Sequence, residues 1–207
     1  MADKIETDFL QQVKAKSKDA LNWFKKLVKQ TQRAAFPAST GRKDLKTQSV
    51  DMKGNLTTSD IGSMYFFRYQ AKWAEILPYW DMFPLIFPFA KAAGGFYGIN
   101  LHYLGPVPRV NLMRALIKAQ GVSGNMDENF RLKLNYNIIT KFPPAEPCIK
   151  RYLNSYNQGG FFKIGGDDWA YAVGLPIQKW VVGNRPATDW RISDKEAHSE
   201  FMANWKG

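Results

Sequence analysis

Apolar positions crowd most densely into residues 64–104, MYFFRYQAKWAEILPYWDMFPLIFPFAKAAGGFYGINLHYL. Three bursts within it, at 64–69, 83–89 and 96–104, are rich in the aromatic and β-branched side chains that suit a pleated, packed surface, and each predicts a strand. Pro78, Pro84 and Pro88 cannot donate ladder hydrogen bonds, which predicts that the second burst lies at a sheet edge or at strand ends. Gly94-Gly95 supplies the turn into the third. Ahead of this block, Ile5, Phe9, Leu10, Val13, Leu21, Phe24, Leu27 and Val28 recur at three- and four-residue spacing, predicting one helix over about residues 3–33 that stops at Phe36-Pro37.

Residues 38–63 hold few large apolar side chains and read as a linker or extended arm. Val110, Met113, Leu116 and Ile117 predict a helix over 107–120, with Pro108 in its first turn and Gly121 past its end. Two short helices are predicted at 130–141 and 148–156, separated by Pro143-Pro144 and Pro147. Strand character returns at 161–164, 169–173 and 177–182, the first two joined through a turn at Gly165-Gly166-Asp167-Asp168. Ser193 with Glu196 forms a capping box for a short last helix carrying Ala197, Phe201 and Trp205 on one side.

This order predicts an α+β chain: a small SH3-like or up-and-down antiparallel β-barrel with a helical insertion, preceded by an amphipathic helix and an extended arm. The expected organisation is a basic helical arm at 1–36, a linker at 37–63, a β-rich core domain at 64–182 with the insertion at 107–157, and a tail at 183–207.

Charge changes the picture. The 207-residue chain carries a formal +11, and twelve of its basic against six of its acidic residues fall within the first 53 positions, a surplus of six. A chain so biased meets something acidic: nucleic acid, a membrane surface or another protein's face. Asp8 and Asp19 interrupt the basic side of the helix, which argues against a membrane-surface role. The apolar stripe, with Trp190 and the tail, then offers a candidate subunit interface at Ile5, Phe9, Val13, Leu21, Phe24, Val28, Trp190, Phe201 and Trp205; packing of the helix on its own domain is the other use of that stripe. Lys14, Lys25, Lys26, Arg42, Lys43 and Lys46 are the candidate contacts to DNA or another acidic partner. The single cysteine, Cys148, excludes an internal disulfide, and neither a signal-type apolar run nor a bilayer-length one occurs.

Catalytic chemistry finds little support. His102 and His198 are the two histidines, too few with one cysteine to build a local zinc site, and no G-x-S-x-G elbow is present. His102 reads as a structural histidine at a sheet margin, and Asp167-Asp168 as turn chemistry rather than a metal or acid/base pair. Gly94-Gly95 with Gly98, and Gly41-Arg42-Lys43, lack the spacing of dinucleotide and phosphate loops. Trp73, Tyr79, Trp80 and Tyr103, interleaved with Arg68 and Lys72, form an array able to stack bases, or else a core with a wet aromatic rim. No enzyme, cofactor, metal or small-molecule substrate is expected.

The strings MYFFRY, LPYWDMFPLIFPF, GGFYGINLHYLGPVPR, PCIKRYL and DDWAYAVGLPIQKW resemble a family of virion and assembly proteins of large contractile-tailed, T-even-like bacteriophages. The resemblance covers about residues 62–182 and leaves the arm, the linker and the tail outside it. It implies a phage protein, assembled in the host cytoplasm and carried in the virion. The leading expectation is a non-enzymatic structural component of the tail or baseplate that grips other virion proteins in a symmetric assembly. The alternative is a nucleic-acid-binding protein at the neck or genome end.

Overall fold

A computed structural model describes residues 2–34, 49–50, 61–77, 80–119, 126–127, 129–140, 143–158, 161–175, 180–182 and 185–187. Their elements, in chain order, are α1 (Ala2–Lys16), α2 (Ala20–Ala34), β1 (Ser49–Val50), β2 (Met64–Phe66), β3 (Trp80–Asp81), β4 (Leu85–Ala92), β5 (Gly95–Asn100), α3 (Pro106–Ala119), α4 (Tyr136–Ile139), β6 (Ile149–Leu153), β7 (Phe161–Ile164), α5 (Trp169–Val173), β8 (Trp180–Val182) and β9 (Arg185–Ala187). Six strands form an antiparallel sheet in the order β1-β7-β2-β4-β5-β6, and β3-β8-β9 form a second, smaller one. The chain is α+β, as expected. The sheet is open, however: β1 and β6 end its order without pairing to each other, so the expected closed SH3-like or up-and-down barrel is not what these residues form.

Helices take the place of barrel closure. Met64, Phe66, Leu85, Phe87 and Ile99 bury one sheet face in a single core with Phe9, Val13, Phe24, Leu27 and Val28 of the first two helices and with side chains of α3 and α5. The stripe expected as one helix is two, because the chain turns at residues 17–19. There the Ser17 hydroxyl donates to the Lys14 carbonyl at 3.1 Å, a local bond that competes with helix continuation. The buried corner lies against Gly174, where a Cβ would come within 3.4 Å of Ser17. Bending here lets both halves of the stripe fold onto the same body. Phe9, Val13, Phe24 and Val28 are therefore buried inside this chain, not displayed as a docking stripe; Leu21 is half-buried, and Ile5 lies within α1. Trp190, Phe201 and Trp205 lie outside the described residues, as do the capping box and last helix and most of the linker.

The proline-rich second burst is not at an edge. β4 runs between β2 and β5, and the ladder tolerates Pro88 because the register shifts there, between Pro88 and Ala90. Gly62 donates its N–H to the Pro88 carbonyl at 3.0 Å and accepts from Leu132 N–H at 2.8 Å. Its φ of +82° and a Cβ position 1.7 Å from the Leu132 carbonyl oxygen restrict the site to glycine. The predicted helix at 107–120 is α3, with Val110, Met113, Leu116 and Ile117 buried. Two other assignments invert: 148–156 contains strand β6, and 169–173 is helix α5. Of the helix expected at 130–141, the single turn α4 forms. The turn at 165–168 is a short 3₁₀ segment leading into α5 instead of a hairpin.

Because the N-terminal helices complete the core, Phe24→Ala should lower unfolding free energy by about 3–5 kcal/mol. Urea denaturation checks this; an unchanged midpoint would mean that the helices are a detachable arm.

Candidate nucleic-acid interface

The opposite sheet face is built from rings. Tyr65, Phe67, Tyr69, Ile86, Phe96, Tyr152 and Phe161 form a second core cluster, the other parity of the same strands, since side chains alternate across a pleat. Phe67 sits at its centre, with ring centroids 4.6 Å from Phe161, 5.4 Å from Tyr152 and 6.0 Å from Tyr69. Beyond Phe67 the chain stays pinned: Tyr69 bridges Asn157, Gln158 N–H donates to the Arg68 carbonyl at 2.8 Å, and Gln70 N–H to that of Tyr156 at 3.1 Å.

At Ala71 the backbone closes a turn in which Ala74 N–H donates to the Ala71 carbonyl, and Ile76 and Leu77 N–H to that of Trp73. The turn leaves Trp73 58% and Ile76 77% exposed, large apolar groups in water beside a buried aromatic core. Lys72 Nζ lies 4.7 Å from the Trp73 ring centre. Facing this turn, β6 brings Lys150 Nζ to 4.0 Å over the Tyr103 ring and presents exposed Arg151, whose Nη2 donates to the Ala93 carbonyl at 2.8 Å. Between them lies a cleft of about 580 Å³ lined by these residues with Tyr69, Leu77, Trp80, Asp81, Tyr152 and others. Trp80 is buried, and its indole N–H has no hydrogen-bond partner among the described residues.

Asp81 anchors the cleft from within. Its carboxylate accepts from Phe83 N–H at 3.0 Å, Asn100 Nδ2 at 2.8 Å and His102 Nδ1 at 2.9 Å, while Asn100 Nδ2 also reaches the Tyr152 hydroxyl at 2.9 Å. A carboxylate only accepts, so the imidazole carries its proton on Nδ1. His102 is buried and held by Asp81 in a 3₁₀ turn after β5, not in the strand itself. Burial holds its pKa below the ordinary value, outweighing the opposing pull of Asp81, with nearby Arg109 adding to the depression. Behind it, fully buried Arg109 donates to the carbonyls of Leu101, Leu104 and Leu175 at 2.8–3.0 Å, and desolvation lowers its pKa to about 10. Cys148 is buried, its thiol pushed up to about 12 by desolvation. Such a thiol is a poor nucleophile. Burial likewise lowers the Lys150 pKa and raises those of Tyr69 and Tyr152.

Of the aromatic–basic array seen in the sequence, Lys72, Trp73, Trp80 and Tyr103 meet in the cleft; Arg68 is exposed but does not line it, and Tyr79 lies outside the described residues. Lys14, Lys25 and Lys26 are exposed on the two helices that cover the other sheet face, apart from the cleft. Arg42, Lys43 and Lys46 are outside the described residues. Lys150, Arg151 and Asp81 were missed, the first two because 148–156 read as a helix; as a strand, the segment carries them to the cleft wall. No group of three metal-ligating side chains occurs among the described residues, Asp167 and Asp168 included, and no helix among them is long and apolar enough to cross a membrane.

A family model described as the phage T4 terminal DNA protecting protein matches residues 2–192. The chain belongs to that family. Membership in the terminal DNA protecting family extends beyond residues 62–182, taking in α1 and α2, the segment between them and the sheet, and β9. No curated protein and no solved structure gives a significant match.

Asp81→Ala would strand three buried donors and should cost about 3–5 kcal/mol of stability, with Asp81→Asn costing less, as read by chemical denaturation. Because His102 folds neutral, the unfolded chain binds a proton that the folded chain refuses once pH drops below the unfolded value near about 6.5. Stability should fall as pH is lowered from about 6.5 towards the depressed folded value, and His102→Gln should flatten that arm of the profile.

Proposed function

We propose that this protein binds the ends of the phage genome and shields them, acting by occupancy and without catalysis, with the cleft beside Trp73 as its DNA contact. The observation that carries this is the exposed tryptophan beneath the Lys72 ammonium, facing a second cation–ring pair, Lys150 on Tyr103. Rings that stack bases alternating with cations that neutralise phosphates are what nucleic-acid binding without base readout requires. The family description, which names terminal DNA, supports the genome-end alternative over the tail or baseplate expectation. The net charge of +11 adds long-range attraction to a polyanion. Virion proteins near the packaged end would be its other partners, reached through surfaces other than the buried Phe9, Val13, Phe24 and Val28.

End protection is tested by exonuclease digestion. Linear duplex incubated with the protein should survive longer than linear duplex alone, and affinity should fall steeply with salt. Reversing charge at Lys72 and Lys150 should weaken binding and flatten the log-affinity against log-salt slope by about one for each phosphate that is no longer neutralised. Unchanged digestion rates, or binding indifferent to both reversals, would reject the proposal.

A further inference from the structure

The dimensions of the cleft narrow what can enter it. Recesses of roughly 300–1,000 Å³ hold single small-molecule ligands, and this one measures about 580 Å³. A paired base brings its partner and a second backbone with it, and cannot enter. An unpaired nucleotide can. The walls match its parts: Trp73 offers a largely exposed aromatic side chain, Lys72 and Lys150 offer cations, and Trp80 carries a buried indole N–H with no partner among the described residues. Lys150 is held by the Tyr103 ring and is paired with no described carboxylate, so its charge is available to a phosphate. The lining carboxylate, Asp81, is already engaged by Asn100, His102 and the Phe83 amide and does not repel an incoming anion at full strength.

We propose that the cleft is a single-strand pocket that takes one unpaired terminal nucleotide of DNA, its base against Trp73 and its phosphate between Lys72 and Lys150, so that the protein selects frayed or overhanging ends over blunt ones. This rests on the end-binding reading and adds to it the form of the end. Base flipping is not required, because a protruding strand already presents its base.

The test uses the full chain and hairpin-closed DNAs with one open end, either blunt, 5′-extended or 3′-extended, in fluorescence anisotropy at fixed salt. An extended end should bind on the order of tenfold more tightly than the blunt end, as stacking of one base on an aromatic ring implies. Trp73→Ala, at a largely exposed position, and Lys150→Gln should each bring that ratio close to one. Equal affinity for blunt and extended ends, or a ratio that survives both substitutions, overturns the pocket. Competition by linear blunt against covalently closed circular duplex measures end binding separately. Preference for linear with no overhang ratio sinks the pocket alone, whereas an overhang ratio dependent on Trp73, with no linear preference, sustains the pocket and removes duplex-end binding.

Discussion

A buried carboxylate must have its oxygens satisfied, and in this protein that requirement fixes the position of the cleft. Asp81 sits on the short strand β3, part of the smaller sheet, yet its acceptors are filled by Asn100 and His102 from the end of β5 and by the Phe83 amide just downstream. Through Asn100 the same group reaches Tyr152 on β6. One side chain therefore ties the small sheet to β5 and β6 of the large one, at the depth where Trp80 and Tyr152 form part of the cleft lining. Losing Asp81 would leave the Phe83 amide and the His102 Nδ1–H without their acceptor, so the carboxylate is the member the arrangement depends on.

The sheet's two faces divide the work. Helices α1, α2, α3 and α5 cover one, and the anchoring there is polar as well as apolar: Arg109 directs its donors to three carbonyls, holding the turn after β5 to the segment that leaves α5. The other face has no helical cover from those elements. Its rings are packed mostly edge-to-face, with Phe96 and Tyr152 stacked, and Trp73 stands exposed beside them at the cleft. Trp73, Ile76 and Leu77 together leave large apolar groups in water at that end.

How much of this was legible in the sequence follows from which signals survive burial. The amphipathic stripe of Phe9, Val13, Phe24 and Val28 and the helical spacing of Val110, Met113, Leu116 and Ile117 were readable, because a one-sided helix keeps its period. The corner at Ser17 was not, since a serine between two in-phase stripes does not disturb the pattern. WAYAV reads as a strand because every side of that short helix is buried except Tyr171, which erases its period. Pro88 argued for an edge, and a bulge stabilised by Gly62, 26 positions earlier, overrode it. Trp73, Trp80, Tyr103 and Lys72 could be picked out by composition, whereas Lys150 and Arg151 join them only through β5–β6 pairing, a long-range register that no local spacing encodes.

Surface lysines alone would make a poor device for holding a DNA end. Charges in full solvent are screened beyond about 8 Å at physiological ionic strength, so Lys14, Lys25 and Lys26 on the outer helices can draw a polyanion in but cannot fix its terminus. A half-buried ammonium such as Lys150, backed by a ring and partly desolvated, interacts through a medium of lower dielectric and is screened less. On the proposed reading, stacking on Trp73 would be independent of salt to first order and of base identity, so it would hold whatever base an end presents. The proposed arrangement would put attraction on the periphery and retention in one recess, and retention at a terminus is the property that would keep a nuclease from its substrate.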